Sequence, residues 1–191
     1  MATLVWRRRG WLSVAFLALA ALFFVFNGDR VTNLALATAG TSSYVVPLVV
    51  DTNPDPDIVE TTITAEPASV DIGGGVVANV LTLNGTLPGP EFRLKVGDTV
   101  IVHYENHLGH DSGIHWHGIE LANASDGTPL TQNQVPPFGV FLYKFKVTRP
   151  GIFWYHPHHH SSTNQVFKGL YGTMIVTTSV RSSLTQVGAS H

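Results

Sequence analysis

From Glu60 onward, the sequence alternates short segments rich in Val, Ile, Thr and aromatic residues with clusters of Gly, Pro, Asn and Asp. Segments with such period-two patterning are typical of strands, and the clusters between them are typical of turns. Outside the N-terminal segment, no window keeps a helical period over about 11 residues. A succession of about eight such segments predicts an all-β sandwich or a closed barrel. The predicted strands cover 61–65, 76–83, 91–95, 99–104, 113–117, 140–147, 151–156 and 172–178.

The composition excludes two classes of function. A net charge of −2 gives no electrostatic basis for binding nucleic acid. Cysteine is absent from the 191 residues, which excludes disulfides and thiolate metal sites in this chain. Histidine, in contrast, occurs ten times, and every histidine except His191 lies between His103 and His160.

The N-terminal segment, residues 1–39, has the features of a signal peptide or membrane anchor. Three arginines at 7–9 precede an uncharged apolar run at 11–26, and A-x-A sites follow at 35–37 and 37–39. The Arg8-Arg9 pair with the Gly-Trp-Leu after it resembles a twin-arginine export signal; the alternative is a plain positively charged leader. We expect export to the periplasm or the extracellular space, with 11–26 as a membrane anchor if the segment is not cleaved.

The remainder of the chain divides into three parts. Residues 40–59 are predicted to be a linker, because the two X-Pro steps in Asn53-Pro54-Asp55-Pro56-Asp57 oppose helix. An apolar patch at 44–50 within it leaves an added edge strand open. The folded domain is predicted to cover 60–178, followed by a tail at 179–191.

Two pairs of histidines are spaced for one face of a strand. In His115-Trp116-His117 the imidazoles are at i and i+2, so they share a face while the indole points to the other. His156-Pro157-His158 repeats this spacing. If the two strands are neighbours, four imidazoles converge on one patch, where copper or zinc is the favoured metal. Either pair alone is more often a solvated face than a metal site; two pairs, each flanked by aromatic residues, favour a metal.

Further motifs occur in a fixed order around these pairs. The combination resembles the first domain of a laccase-type multicopper oxidase, across residues 61–178. The resemblance implies a cupredoxin-like Greek-key β-barrel that supplies half of the histidines of a three-copper cluster, at which dioxygen is reduced to water. The motifs are Asn84-Gly85-x-x-Pro88-Gly89-Pro90, Gly97-Asp98-Thr99-Val100, Asn106-x-Leu108, His115-Trp116-His117-Gly118, Asp126-Gly127, Thr131-Gln132, Tyr143-x-Phe145, Trp154-Tyr155-His156-Pro157-His158 and Gly169-Leu170-Tyr171-Gly172.

The resemblance also implies a role for five individual residues. His115 matches the family's ligand of the type 2 copper. His117, His156 and His158 match ligands of the paired type 3 coppers. Asp126 matches an acidic residue that assists proton delivery near the cluster, although Asp-Gly is also an ordinary turn dipeptide.

The other histidines fall outside this pattern. His159 and His160 extend the second pair and are interpreted as solvent-facing or neighbouring side chains, with adventitious metal binding as the alternative. The remaining four are interpreted as strand, loop or terminal residues without a part in the metal site: His103, His107, His110 and His191.

The absence of cysteine limits the function that the resemblance implies. A type 1 copper site needs a Cys ligand, so this chain alone is not expected to oxidise a substrate by the family's route. Three functions remain open. In the first, the chain is half of an oxidoreductase and is completed by a second cupredoxin-domain polypeptide or by a second copy of itself. In the second, it is an exported, non-catalytic copper-binding protein for storage or delivery; in the third, it is a truncated oxidase fragment.

Overall fold

The computed structural model describes residues 45–158 and 162–178. The predicted signal or anchor, the predicted tail, His159 and His160 lie outside these residues. In the described part, a short helix α1 (Ser162–Phe167) and a 3-10 turn (Asn123–Ser125) accompany eight strands. The strands are β1 (Ile58–Asp71), β2 (Val77–Leu83), β3 (Gly89–Lys95), β4 (Thr99–Asn106), β5 (His115–His117), β6 (Val140–Lys146), β7 (Gly151–His156) and β8 (Gly172–Thr177).

The strands form two four-stranded sheets, in the orders β2-β1-β4-β6 and β3-β8-β7-β5. Each sheet is mixed, because β1 pairs with β4, and β3 with β8, in parallel, while the other pairs are antiparallel. In both sheets, some neighbouring strands are distant in sequence, because the chain crosses from one sheet to the other. The predicted all-β, cupredoxin-like Greek-key architecture is confirmed.

Aromatic side chains from both sheets meet in the core. Trp116 is fully buried and makes edge contacts with Phe92 at 5.8 Å and Tyr143 at 5.5 Å between ring centroids. Large aromatic side chains dominate core energetics because each buries about 150–250 Å². Since successive strand residues face opposite sides, the inward Trp116 directs His115 and His117 to the outer face of the sheet.

Among the described strands, β7 alone has the predicted bounds, and the differences at β1 and β5 have a visible cause. The strand β1 extends to Asp71 because its second half pairs with β2. Over the last six residues of β1, no side chain is fully buried, so the sequence pattern there does not indicate a strand packed on a core. The strand predicted at 113–117 begins only at His115. Its preceding residue, Ile114, donates its N–H to the Tyr143 hydroxyl at 2.8 Å. The ends of these two strands therefore depend on pairing with a distant strand and on a side-chain hydrogen bond, neither of which the local sequence pattern shows.

The apolar patch before β1 contacts the edge of the second sheet. Leu48 forms an isolated parallel bridge with Glu91. The Val49 N–H donates to the Glu91 carbonyl at 3.0 Å, and the Glu91 N–H donates to the Pro47 carbonyl at 2.8 Å. The edge strand left open by the sequence is therefore present as a single bridge. The domain limits of 60–178 stay a prediction.

Within the described residues, no helix has the length and apolar character required to cross a bilayer. The helix α1 has six residues and follows the second histidine pair. The apolar run at 11–26, which carries the anchor prediction, is not among the described residues.

Candidate metal centre

The pairing of β5 with β7 brings the two histidine pairs together. His115 lies opposite His156 in this antiparallel register, and His117 lies opposite Trp154. The ring centroid of His115 is 5.6 Å from that of His156 and 5.1 Å from that of His158. All four histidines singled out in the sequence therefore lie in one cluster on the outer face of the second sheet, at the edge that β5 forms.

The closest approach in the cluster joins one histidine from each pair. Nδ1 of His117 lies 3.2 Å from Nε2 of His156. With metal–imidazole bonds of about 2.0–2.1 Å, as in zinc sites, two nitrogens on one tetrahedral ion lie about 3.3 Å apart. With a hydrogen on Nδ1 of His117, the contact is a hydrogen bond donated to Nε2 of His156. With both nitrogens deprotonated, the same spacing suits two ligands of one ion.

In His115 and His156, a hydrogen bond to a backbone carbonyl determines which ring nitrogen keeps a free lone pair. Nδ1 of His115 is 2.8 Å from the Asp126 carbonyl oxygen, and Nδ1 of His156 is 2.8 Å from that of Pro157. A carbonyl oxygen only accepts, so each Nδ1 carries the hydrogen and each Nε2 keeps its lone pair. Hydrogen bonds of this kind hold the tautomer and orientation of metal-ligating histidines.

Asp126 lies beside the cluster, against His115. Its Oδ1 is 3.5 Å from Nδ1 of His115, and its Oδ2 accepts a hydrogen bond from the Thr128 hydroxyl at 2.7 Å. It ends the 3-10 turn, where its N–H donates to the Asn123 carbonyl at 3.1 Å. The turn interpretation of Asp-Gly is therefore correct, and the same turn places the carboxylate next to a predicted ligand.

Burial lowers the pKa of His156 to about 4, although the hydrogen bond to the Pro157 carbonyl opposes this shift and the neighbouring histidines add to it. Burial acts in this direction because it penalises the charged ring. At neutral pH the ring is therefore neutral. Metal binding requires a neutral imidazole, so His156 is in the protonation state that a ligand needs.

One aromatic contact of the cluster was not assigned a role from the sequence. The Trp154 ring stacks on His156 with centroids 3.8 Å apart and planes at 23°, and it lies 5.1 Å from the His117 ring. Its spacing of two residues from His156 on a strand was a signal that both side chains share a face. A pocket of about 280 Å³ adjoins this stack, lined by Trp154, His156, Pro157, His158, Ser162, Thr163, Val166 and Phe167.

A second unassigned contact supports the turn that follows β5. Arg149 donates to the Gly118 carbonyl at 2.5 Å and to the Glu120 carboxylate at 2.6 Å, and it lies over the Phe153 ring at 4.7 Å. Gly118 directly follows His117 and has a φ of +84°. Nothing in the local sequence indicates this contact, because Arg149 is distant along the chain.

The donors present fit a copper site that is shared with other ligands. Three features carry this fit: an all-imidazole donor set, the 3.2 Å separation of two ring nitrogens, and the carbonyl-held Nδ1 atoms. Imidazole is a ligand that copper favours. Across residues 45–158 and 162–178, no group of three or more His, Cys, Asp or Glu side chains is arranged around a single ion.

Comparisons with known proteins point to one family. The family model for multicopper oxidases matches residues 64–180. Multicopper oxidase MmcO of Mycobacterium tuberculosis is 45% identical over 100 residues, which are 52% of this chain and 20% of that protein. A copper resistance protein A homolog of Pseudomonas syringae is 40% identical over 103 residues, 53% of this chain and 17% of that protein. The chain thus spans about a fifth of the length of these relatives.

Solved structures agree with this assignment. The multicopper oxidase from Campylobacter jejuni, described as a metallo-oxidase, superposes with a TM-score of 0.64 at 27% identity, over 70% of this chain and 28% of that one. A multicopper oxidase from Pseudomonas thermotolerans superposes with a TM-score of 0.60 at 36% identity, over 64% and 30% respectively. Copper is the cofactor of the family. The chain belongs to the multicopper oxidase family, and its two-sheet sandwich is a cupredoxin domain of the multicopper oxidase type.

Proposed function

We propose that this domain binds copper through His115, His117, His156 and His158 and supplies half of a type 2/type 3 copper cluster. The other half comes from a second cupredoxin domain, in another polypeptide or in a second copy of this chain. The observation that carries the proposal is the register that sets His115 opposite His156. It turns two separate pairs of imidazoles into one cluster of donors.

The roles proposed for the four donors are those that the family resemblance implies, and the nitrogen positions suit one of the pairs. His117 and His156 offer Nδ1 and Nε2 at 3.2 Å, as two ligands of one type 3 copper. His158 matches the family's ligand of the second type 3 copper, and its ring lies 5.1 Å from that of His115. His115, with Nε2 free, is the type 2 ligand. Two imidazoles leave coordination positions to other donors, so a facing domain completes each shell.

Bound copper supplies the electron-transfer chemistry by which this family reduces dioxygen. The residues of this chain bind the metal, orient the imidazoles and move protons. Asp126 is proposed as the proton-delivering residue: Thr128 holds its Oδ2 at 2.7 Å, and its Oδ1 faces the cluster 3.5 Å from His115. The carboxylate takes up a proton at Oδ1 and releases it toward the site.

The surroundings of the cluster support a docking face. Phe167, which is 87% exposed, and Trp154, which is 38% exposed, line the same pocket as His156 and His158. Contiguous apolar surface of this kind marks interaction sites on soluble domains. Oxidoreductase activity belongs to the completed assembly, and the N-terminal segment directs the chain to the periplasm or the extracellular space.

A copper titration of the full chain tests the binding proposal. We expect the wild-type chain to bind Cu(II), and the His115→Ala/His117→Ala variant to lose most of that binding, because the type 2 shell loses His115 and one type 3 shell loses His117. The matched control is His103→Ala/His107→Ala, which removes two histidines about half exposed and outside the cluster. Unchanged copper stoichiometry in the His115/His117 variant would overturn the proposal and assign binding to other histidines.

A further inference from the structure

We propose that Trp154 is a positioning residue of the histidine cluster, whose flat indole holds the ring planes of His156 and His117 so that their nitrogens converge. This inference rests on the proposed copper-binding function and deepens it. The three rings meet because His117 pairs with Trp154 across the ladder, and His156 follows Trp154 on the same face of β7.

Two contacts restrict the motion of the His156 ring: a hydrogen bond at Nδ1 and the stack with the indole of Trp154. The Pro157 carbonyl holds Nδ1 at 2.8 Å and so fixes one edge of the ring. The indole stacks on this ring, with 3.8 Å between the centroids and 23° between the planes. The stack restricts rotation of the imidazole about its Cβ–Cγ bond. Together the two contacts direct Nε2 toward His117.

His117 depends more directly on the indole. Its ring centroid lies 5.1 Å from that of the indole, with 32° between the two planes, so the indole packs against it in a tilted contact. The imidazoles of His156 and His115 lie near it, at 5.5 Å and 5.6 Å between ring centroids, and both are themselves proposed copper ligands. Across the ladder, the indole thus orients Nδ1 of His117 toward His156.

The exposure of Trp154 agrees with an indole that is covered on one side by His156, on which it stacks. Trp154 is 38% exposed, whereas Ile152, two residues earlier on the same face of the same strand, is 78% exposed. The strand β5 pairs with β7 at Trp154 and does not reach Ile152. The indole of Trp154 is also covered by the ring of His156. Stacking on imidazole requires a plane, which an aliphatic side chain of similar volume lacks.

Three variants of the full chain separate orientation from space filling: Trp154→Phe keeps a plane, Trp154→Leu keeps apolar volume, and Ile152→Ala is the control on the same face. We expect Trp154→Leu to weaken Cu(II) binding by about ten- to a hundredfold, the effect of losing a partner that orients a ligand. Trp154→Phe and Ile152→Ala are expected to stay near wild type. Equal affinity in Trp154→Leu and Trp154→Phe would overturn the proposal.

A measurement on the metal-free chain tests the same inference without copper. In the NMR spectrum of the wild-type chain, the ring current of the indole shifts the ring protons of His156 upfield, and this shift disappears in Trp154→Leu but not in Ile152→Ala. Absence of the shift in the wild-type chain would overturn the proposal even if a variant failed to fold. If the chain binds no copper, the proposed function fails, while these shifts still decide the role of Trp154.

Discussion

Gly127 lies so close to Ile114 that a β-carbon on it would stand 1.6 Å from the Ile114 carbonyl oxygen. The turn after Asp126 is therefore in direct backbone contact with the entry to β5. This contact holds the Asp126 carbonyl within hydrogen-bond distance of His115. The glycine thereby connects the fold to the orientation of a proposed ligand.

Gly127→Ala is expected to destabilise the domain and to disturb His115. Its φ of +74° alone costs an alanine about 1–2 kcal/mol, and the clash with backbone adds to this. Gly75→Ala is the matched control, since Gly75 has a φ of +76° and open space around its β-carbon position. Urea unfolding of both variants measures the difference. Equal losses of unfolding free energy in the two would show that the contact with Ile114 relaxes without cost.

Copper bound by this chain is expected to lack intense blue absorption. That absorption arises from thiolate-to-copper charge transfer, and the chain has no Cys. Visible spectroscopy and electron paramagnetic resonance of the Cu(II)-loaded full chain measure this, with nitrogen hyperfine coupling expected from imidazole ligands. An intense blue band, or a spectrum without nitrogen coupling, would contradict the assigned donors.

Asp126→Asn is expected to separate binding from proton delivery. Copper affinity stays near wild type, because the backbone carbonyl that holds His115 is retained. Oxygen consumption by the partner-completed assembly falls by about a hundredfold or more, the usual contribution of a positioned acid–base group. A variant with full oxygen consumption would assign Asp126 to the turn alone.

The copper-loaded chain alone is expected to show no oxidation of a phenolic donor. Its four clustered imidazoles are half of a shared site, and no Cys is present to hold the copper that receives electrons from a substrate. Oxygen uptake is measured with the chain alone and after addition of cupredoxin-domain partners or at concentrations that favour self-association. Turnover by the chain alone would overturn the shared-site proposal. No turnover with any partner would favour a storage role or a truncated oxidase fragment.

Acid stability is expected to depend on the pair formed by Glu60 and His103. The hydrogen bond from His103, then that from Asn53, lowers the pKa of Glu60 below its usual 4.5. A carboxyl whose pKa is lowered by folding contributes stability above 4.5, and this contribution is lost as pH falls through the folded pKa. His103→Ala therefore lowers the unfolding free energy near neutral pH and reduces its loss below pH 4.5. The control is His107→Ala, and identical pH profiles of the two variants would contradict the assignment.

Local patterning was sufficient to predict the strands. Alternation alone places seven of the predicted segments on strands with ends within three residues, as with the segment at 151–156, which coincides with β7. The same period-two rule predicts that His115 and His117 share a face opposite Trp116, because side-chain direction along a strand is a local property. The family resemblance came from short motifs for the same reason.

The tertiary structure decided which of these local features meet. The register that sets His115 opposite His156 joins residues far apart in sequence, and no local rule specifies it. The carbonyl of Asp126 at Nδ1 of His115 and the indole of Trp154 on His156 likewise depend on long-range pairing. Sequence determined the donors and the faces they occupy, whereas the packing of the strands decided their separation, their free nitrogens and their neighbours, because those quantities depend on the relative positions of segments that are not adjacent in the chain.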